Sequence, residues 1–324
     1  MATRFGLLVP HFGGEADQDL LVEGSQLADR LGFDSLWVRD HLVFHPHGME
    51  GTDRTFIEPL VTLTYLAAKT ERIGLGAATI IPFRHPINLA YSIASMSWIT
   101  RRRFELGIGS GNFQHEFDVI AQGDVDRPAM MREQTQIARA LWTGESVEWQ
   151  SELYSFKDVD LKPQPLFPVP VWWGGATPAS ARLAVEFCDG WLPGRITFPT
   201  YEVRVAKIRE MVADQGRKPV LVGAVPVTSI ADTRDEAIGH MNVPGLIDNA
   251  NHQKFWIKPE GGQFTTFDEL DGSVLAGTPD DVVRGIQRYQ EIGADLLIID
   301  FRMRFPDWLE QIERFAKEVL PRVS

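Results

Sequence analysis

Short apolar runs alternate with longer amphipathic stretches along the chain. The first run, RFGLLV at 4–9, is followed by leucines that recur with helical spacing until Gly32 ends the pattern. The alternation predicts strands at 4–9, 34–39, 72–79, 103–109, 170–173, 190–192, 219–227 and 294–300. Helices are predicted near 20–31, 58–69, 86–98, 128–143, 178–188, 200–214 and 306–320, with one more opened by Thr278-Pro279-Asp280.

Eight strand–helix units with near-continuously apolar strands favour a closed parallel barrel over an open sheet. We therefore predict an α/β protein with the (β/α)8 TIM-barrel fold, although 324 residues would also suffice for two domains of about 150 residues. The predicted domain spans 1–324.

Two segments depart from the alternation. Residues 145–165 alternate like a surface hairpin, and about 242–274 show no sustained period. We interpret both as insertions. The second would lie over the barrel mouth, where it either shapes substrate choice or forms a solvated loop.

The net charge of the chain limits the kinds of partner that it can bind. The chain has 32 Lys and Arg against 44 Asp and Glu, a net charge of −12, which disfavours a nucleic-acid or anionic-membrane partner. No apolar run approaches the roughly 18 residues that cross a bilayer. The single cysteine, Cys188, can form neither an internal disulfide nor a thiolate metal site, and we expect a cytoplasmic protein.

The strongest local motif is WWGGATPASA at 172–181. Two glycines leave a strand, Thr177 can cap the next helix, and Pro178 suits its first turn, so backbone N–H groups would face the barrel mouth as a phosphate cradle. The alternative is that the glycines only relieve crowding. GIGSGNF at 107–113 lacks the spacing and position of a dinucleotide fingerprint.

The sequence gives little indication of a metal site or of a catalytic nucleophile. His41, His45 and His47 form H-x3-H-x-H, but the later strands end without further histidines, so we predict no metal. No G-x-S-x-G elbow is present. A phosphate cradle without metal or nucleophile indicates chemistry carried by an organic cofactor.

Several blocks in series resemble one family. They are FGLLVP, LADRLGFDSLWVRDH at 27–41, TERIGLGAATIIPFRHPINLA at 70–90, RFELGIGSGNFQHEF at 103–117, GGATPASARLAVEFCDGWLP at 174–193 and LAGTPDDVVRGIQRYQEIGADLLIIDF at 275–301. Together they resemble the bacterial luciferase-like flavin and deazaflavin oxidoreductases, and most of all the branch that uses coenzyme F-420 (F420), a deazaflavin.

The resemblance implies a ring bound at the barrel mouth. Its redox edge would lie near Asp40 and His41, the proposed catalytic pair, whose alternative reading is a helix-capping carboxylate beside a surface imidazole. A non-prolyl cis peptide within Gly76–Thr79 would back the ring. The implied cofactor-binding residues are Ala77, Ala78, Thr79, Asn112, Gly174, Gly175, Ala176 and Thr177.

One position departs from the branch. Its sugar-phosphate dehydrogenases carry an acidic glutamate where this chain has Asn112, which cannot exchange a proton in that way. Glu116 fits the same block but could equally cap the next segment. The expected substrate pocket is apolar, unless these residues are ordinary packing: His11, Phe44, Phe113, Trp173 and Trp256.

The expected function is hydride transfer between reduced F-420 and a small, apolar organic substrate. The alternatives are an FMN-dependent two-component monooxygenase and a non-catalytic flavin-binding relative. A separate flavin or F-420 reductase would supply electrons. The helix at 86–98 is apolar or small nearly all round, and the family dimerises through this region, so a homodimer is expected.

Overall fold

The computed structural model describes residues 2–48 and 50–324, and within them eight parallel strands close a barrel. The barrel strands are β1 (Arg4–Leu8), β2 (Ser35–Val38), β3 (Gly74–Ile80), β4 (Phe104–Ile108), β7 (Val171–Gly174), β8 (Gly190–Leu192), β9 (Leu221–Ala224) and β12 (Leu296–Ile299). Their neighbour order is β1–β12–β9–β8–β7–β4–β3–β2, and β2 pairs with β1 to close the ring. The predicted (β/α)8 barrel is confirmed.

Helices follow the strands and cover the barrel. They are α1 (Gln18–Leu31), α2 (Pro59–Ala67), α3 (Pro86–Thr100), α4 (Gln114–Val119), α5 (Arg127–Leu141), α6 (Pro178–Phe187), α7 (Phe198–Asp214), α8 (Arg234–Gly239), α9 (Val243–His252), α10 (Pro279–Ile292) and α11 (Trp308–Arg314). The helix signals in the sequence set their ends. Thr278 and Asp281 form a capping box at the start of α10, and Gly32 ends α1 in the left-handed conformation.

Both segments outside the alternation contain secondary structure. β5 (Val147–Gln150) and β6 (Ser155–Val159) form an antiparallel hairpin. The second segment contains α9, although its sequence shows no sustained period. The side chain of Asn242 caps this helix, which is short and buries only Leu246 and Ala250, so its periodic signal is weak.

Two further details differ from the prediction. A parallel pair, β10 (Val227–Ile230) and β11 (Val274–Gly277), lies outside the barrel sheet. The predicted final helix at 306–320 is broken: turns of 3-10 helix precede and follow α11, and Phe315–Val319 is π-helical. Pro306 and Pro321 explain the irregular ends, because proline has no N–H to donate.

The surface of α3 carries exposed apolar side chains, among them Trp98 and Ile99. The homodimer expected through this helix stays a prediction. Across the part of the chain that the structure describes, none of the helices combines the length and the hydropathy that spanning a membrane would need.

Glycines make room for indoles inside the barrel. Trp37 is fully buried, and a Cβ atom added at Gly76 would lie 2.5 Å from Trp37 Cδ2. A Cβ at Gly190 would similarly lie 2.2 Å from Trp172 Cε3. The strands therefore reach their packing distance only because these positions lack side chains.

We predict that Gly76→Ala destabilises the protein by about 1–3 kcal/mol, since the added methyl group overpacks the barrel interior. Gly261→Ala is the matched control, because a Cβ atom added there would have no neighbour within 4 Å and the φ of Gly261 is not positive. Urea denaturation of both variants measures the difference. Equal midpoints for the two would contradict this packing.

Candidate active site

A cavity of about 480 Å³ opens at the carboxyl ends of the barrel strands. Each of the eight strands, or the turn that follows it, contributes at least one lining residue, and the segment after α9 contributes Gln253 and Trp256. In the ring of eight strands, the end of β2 lies opposite the end of β8. Residues from these two strands therefore face each other across the cavity.

The end of β3 forms a backbone ledge on one wall. The strand pairing is irregular between Ala77 and Ile80, and a cis peptide bond joins Ala78 to Thr79, within the range where the resemblance places it. Ala78 and Thr79 line the cavity. Ala77 is fully buried in the regular part of β3 and is not among the lining residues, and its expected contact with a cofactor stays a prediction.

Two glycines make room for this ledge. A Cβ atom at Gly109 would lie 2.5 Å from Thr79 Oγ1, and one at Gly174 would lie 2.7 Å from Thr79 Cγ2. Side chains at these positions would therefore displace Thr79. The ends of β3, β4 and β7 together form a wall of backbone and small side chains, which a flat ring can approach closely.

The turn from β7 into α6 has the expected geometry. Gly175 adopts a φ of +102°, and the Thr177 hydroxyl accepts a hydrogen bond from the Ser180 N–H at 3.0 Å. Within residues 2–48 and 50–324, the N–H groups of Ala176 and Thr177 donate no hydrogen bond. Gly174, Gly175, Ala176 and Thr177 all line the cavity. Unpaired N–H groups at a helix start favour an anion such as phosphate.

Asp40 is fully engaged by neighbouring donors. Its Oδ2 accepts from the Ile81 N–H at 3.0 Å and from Arg84 Nη1 at 2.6 Å, while Oδ1 accepts from Arg84 Nη2 at 2.9 Å. The carboxylate is buried. It ties the end of β2 to the residue after β3, so its contacts are those of a positioning residue for the ledge.

His41 is held between a carboxylate and a guanidinium. Its Nδ1 lies 3.3 Å from Glu116 Oε1, and its Nε2 lies 3.3 Å from Arg39 Nη2. A guanidinium can only donate and an ionised carboxylate can only accept, so the ring carries its proton on Nδ1 and a lone pair on Nε2. The environment thus selects one tautomer of His41.

Glu116 is the carboxylate behind His41. Its Oε1 also accepts from the backbone N–H groups of Leu42 and Val43, at 2.8 and 3.1 Å. Burial opposes its charge, but the hydrogen bonds from His41 and these backbone groups outweigh burial and lower the pKa of Glu116. Glu116 does not cap the following segment, because it lies within α4, which Phe113 precedes.

The other two histidines of the H-x3-H-x-H motif do not join His41 around a common point. His47 Nδ1 lies 2.8 Å from Arg39 Nη2, so an arginine occupies the space between His41 and His47. His45 instead stacks on His115 with ring centroids 4.4 Å apart.

Three arginines, which we call the arginine cluster, line the cavity and follow the strands β2, β8 and β12: Arg39, Arg195 and Arg302. Glu50 Oε1 accepts from Arg39 Nη1 at 2.6 Å and from Arg302 Nη1 at 2.7 Å. Asp300 Oδ2 accepts from Arg302 Nε at 2.6 Å. Burial, together with the charge of Arg302, lowers the pKa of Arg39 to about 10. Arg195 pairs with neither carboxylate.

The structure places His11 and Phe44 outside the cavity lining. His11 is fully buried, where its Nδ1 donates to the Ile57 carbonyl at 2.9 Å and its Nε2 accepts from the Arg39 N–H at 2.9 Å. Phe44 packs against Phe12 and Phe56. Both belong to the packing that supports the cavity, so the structure does not bring them into its lining, and their expected contact with a substrate stays a prediction.

Four other expected residues do line the cavity: Asn112, Phe113, Trp173 and Trp256. Trp256 is nearly fully buried, and its indole nitrogen has no hydrogen-bond partner within the described residues. The apolar surface expected at the mouth is therefore present, but the arginine cluster lines the same cavity and makes part of it cationic.

The sequence did not indicate that Glu50 lies between Arg39 and Arg302 at the cavity. Arg39 is the last residue of the predicted strand 34–39, and Arg302 follows the predicted strand 294–300, so their position at the barrel mouth was a usable signal. Glu50 lies in the loop after β2, and no local pattern indicates that its carboxylate folds back between two arginines.

Catalytic sites of TIM barrels lie at this end of the strands, so the cavity is the candidate active site of a barrel enzyme. The family model described as luciferase-like monooxygenase matches residues 3–296. The chain belongs to the luciferase-like monooxygenase family, which confirms the resemblance found in the sequence.

Individual relatives divide between two cofactors. The F420-dependent glucose-6-phosphate dehydrogenase of Amycolatopsis mediterranei is 27% identical over 319 residues, covering 94% of this chain and 94% of the relative. The oxygenase component of the flavin-dependent trigonelline monooxygenase of Acinetobacter baylyi is 26% identical, covering 99% and 96%. A solved F420-dependent secondary alcohol dehydrogenase, in complex with an F420-acetone adduct, shares the fold with a TM-score of 0.83 at 20% identity, covering 100% of both chains.

The burial of His11 should make the stability of the protein depend on pH. Burial lowers the pKa of His11 to about 3, from an ordinary value of 6.5, so the unfolded chain binds a proton in this range that the folded protein does not. Stability should therefore rise with pH between about 3 and 6.5, by about 1.4 kcal/mol per pH unit for this residue. His11→Gln removes this dependence.

The measurement is chemical denaturation at pH 7 and pH 5. His11→Gln should be less stable than the natural protein at pH 7 because it disturbs two buried hydrogen bonds. Its loss of stability on moving to pH 5 should be smaller by about 2 kcal/mol. An identical loss in both proteins would show that His11 is protonated in the folded state.

Proposed function

We propose that the protein is an oxidoreductase that transfers a hydride between coenzyme F-420 and a small organic substrate. The observation that carries the proposal is the pairing of the Ala78–Thr79 ledge with the open N–H groups at Ala176 and Thr177 in one cavity. A flat ring with a phosphate-bearing tail fits those two features. The F420-dependent relatives that match nearly the whole chain support the choice of cofactor.

The residues that line the cavity suit the shape and the charge of F-420. Ala78 and Thr79 would contact the ring, where the missing side chains of Gly109 and Gly174 leave the ledge free. Gly174, Gly175, Ala176 and Thr177 would hold the phosphate, and Asn112 would contact the ring edge from β4. When bound there, the deazaflavin supplies a two-electron hydride donor or acceptor.

His41 is the proposed acid–base residue. Its Nε2 lone pair faces Arg39 Nη2 at 3.3 Å. A substrate hydroxyl that takes the place of this contact can give its proton to Nε2 as hydride leaves the adjacent carbon, and Nε2 can return that proton in the reverse direction. Glu116 keeps the other ring nitrogen protonated and would stabilise the imidazolium that forms. Arg39, beside Nε2, stabilises negative charge on the substrate oxygen.

The presence of Asn112 supports the proposal that His41, and not a residue after β4, exchanges the proton with the substrate. Its carboxamide lines the cavity but does not titrate, so it cannot replace a catalytic carboxylate. Asp40 is occupied by Arg84 and the Ile81 N–H, so we assign it the positioning of the ledge in place of proton transfer.

An FMN-dependent two-component monooxygenase is the second candidate. The trigonelline monooxygenase relative covers as much of the chain as the F420-dependent relatives do, and the same ledge and cradle would fit a flavin with its phosphate. This function needs oxygen and a separate reductase to supply reduced FMN.

Titration with F-420 and with FMN separates the two candidates. Quenching of the cofactor's fluorescence should give at least a tenfold lower Kd for F-420. Gly174→Val, whose side chain would displace Thr79, should weaken binding at least tenfold, while Gly261→Ala should not. Tighter binding of FMN, with oxygen uptake by the FMN-loaded protein, would overturn the F-420 assignment.

His41→Ala should lower the rate of hydride transfer by about 10²–10⁴ and leave the Kd for F-420 within tenfold, because the ring contacts are retained. Glu116→Gln should lower the rate less, since an amide stabilises the imidazolium less than a carboxylate does. Stopped-flow absorbance of the coenzyme measures both. Turnover unchanged in His41→Ala would remove His41 from the mechanism.

A further inference from the structure

Arg195 stands out among the residues of the cavity because its guanidinium is almost unused. It follows β8 through Gly194 and lines the cavity. Its one hydrogen bond to the described residues runs from Nη2 to Asn249 Oδ1, at 3.3 Å. A guanidinium has five N–H donors, so most of the donors of Arg195 are available to a ligand.

The charges around Arg195 do not balance. Arg39, Arg195 and Arg302 bring three positive charges, whereas Glu50 and Asp300 bring two negative charges, and both of those are bonded to the other two arginines. Burial, together with the charge of Arg302, lowers the pKa of Arg195 to about 9. This side of the cavity therefore carries one positive charge without a counter-charge, which is costly unless a ligand supplies one.

The nearby carboxylates do not supply it. Glu116 is separated from the cluster by His41, and His41 and two backbone N–H groups already donate to it. Asp40 is paired with Arg84.

Two neutral donors lie in the same wall as Arg195. Asn249 accepts from Arg195 through Oδ1, and its Nδ2 donates to no group among the described residues. The indole N–H of Trp256, nearly fully buried, likewise has no acceptor there. Both residues line the cavity with Arg195. The wall thus offers donors from three side chains, which suits an anion and not a cation.

We propose that Arg195, Asn249 and Trp256 form a binding site for a carboxylate group of the substrate. The inference rests on the proposed function, because it specifies the substrate of that same cavity. The single uncompensated charge favours a monoanion over a doubly charged phosphate ester. Since β8 lies opposite β2, the carboxylate would bind at one side of the cavity with the reacting carbon toward His41.

Benzoate and benzamide test the site, because they share size and shape but differ in charge. Phe113, Trp173 and Trp256 give either ring an aromatic surface. Binding is followed by tryptophan fluorescence and by the shift in Tm, on the protein without coenzyme and again with F-420 bound. In both forms, benzoate should bind at least tenfold more tightly than benzamide.

Variants of Arg195 test whether its side chain causes the preference for benzoate over benzamide. Arg195→Gln should lose the preference for benzoate, whereas Arg195→Lys should keep part of it, because it keeps the charge but not the planar donor geometry. Arg217→Gln is the matched control, since it removes the same charge from an exposed position. Without benzoate, Arg195→Gln should have a Tm no lower than the natural protein, which shows that it folds.

Two results would overturn the proposal. One is an equal preference for benzoate in Arg195→Gln and the natural protein. The other is that F-420 blocks benzoate while Arg195→Gln weakens F-420 binding at least tenfold, which would assign Arg195 to an anionic group of the coenzyme. Failure of the proposed function looks different, because benzoate would still bind through Arg195 while F-420 would not bind at all.

Discussion

The Glu50 carboxylate, shared between Arg39 and Arg302, is the interaction on which the rest of the cavity depends. Glu50 belongs to the loop after β2, while the two arginines come from the ends of β2 and β12. Burial alone would favour the protonated acid, but the two adjacent guanidinium groups outweigh it and lower the pKa of Glu50. Without this charge two buried cations would repel each other, and the loop would lose the contact that holds it against the barrel.

The loop in turn fixes the groups that surround His41. Glu50 Oε2 accepts from the His47 N–H at 3.1 Å, and Arg39, held by Glu50, contacts both His41 and His47. Arg39 also donates its backbone N–H to His11, which reaches the Ile57 carbonyl at the far end of the same loop. His11, which has no evident catalytic contact, therefore helps to hold Arg39 beside His41, the proposed acid–base residue.

The barrel was predictable from sequence because each strand is a near-continuous apolar run and most helices carry local start and stop signals. The ledge and the cradle were also within reach, since they depend on small residues and glycines at the strand ends, such as Ala78 and Gly174. The ion pairs of the arginine cluster were not. Two of its three charges are compensated by Glu50 and Asp300, which lie about 250 residues apart in the chain, and a net charge of −12 gives no sign of a cationic cluster. Helix α9 was missed for a related reason, since it is held by a side-chain cap and few apolar contacts.

The order of strands around the barrel separates two sets of residues. The ledge and the cradle come from β3, β4 and β7, which are consecutive neighbours in the ring, whereas the arginine cluster comes from β2, β12 and β8 on the remaining arc. The two sets meet where β2 adjoins β3, because Asp40 ties the end of β2 to the ledge. The loops after β8 and β12 can therefore change in length or charge with less effect on the ledge than the loop after β2. Such a division lets a lineage keep one coenzyme while it acquires new substrates, and the ends of β8 and β12, together with the segment that carries Asn249 and Trp256, are where that divergence would accumulate.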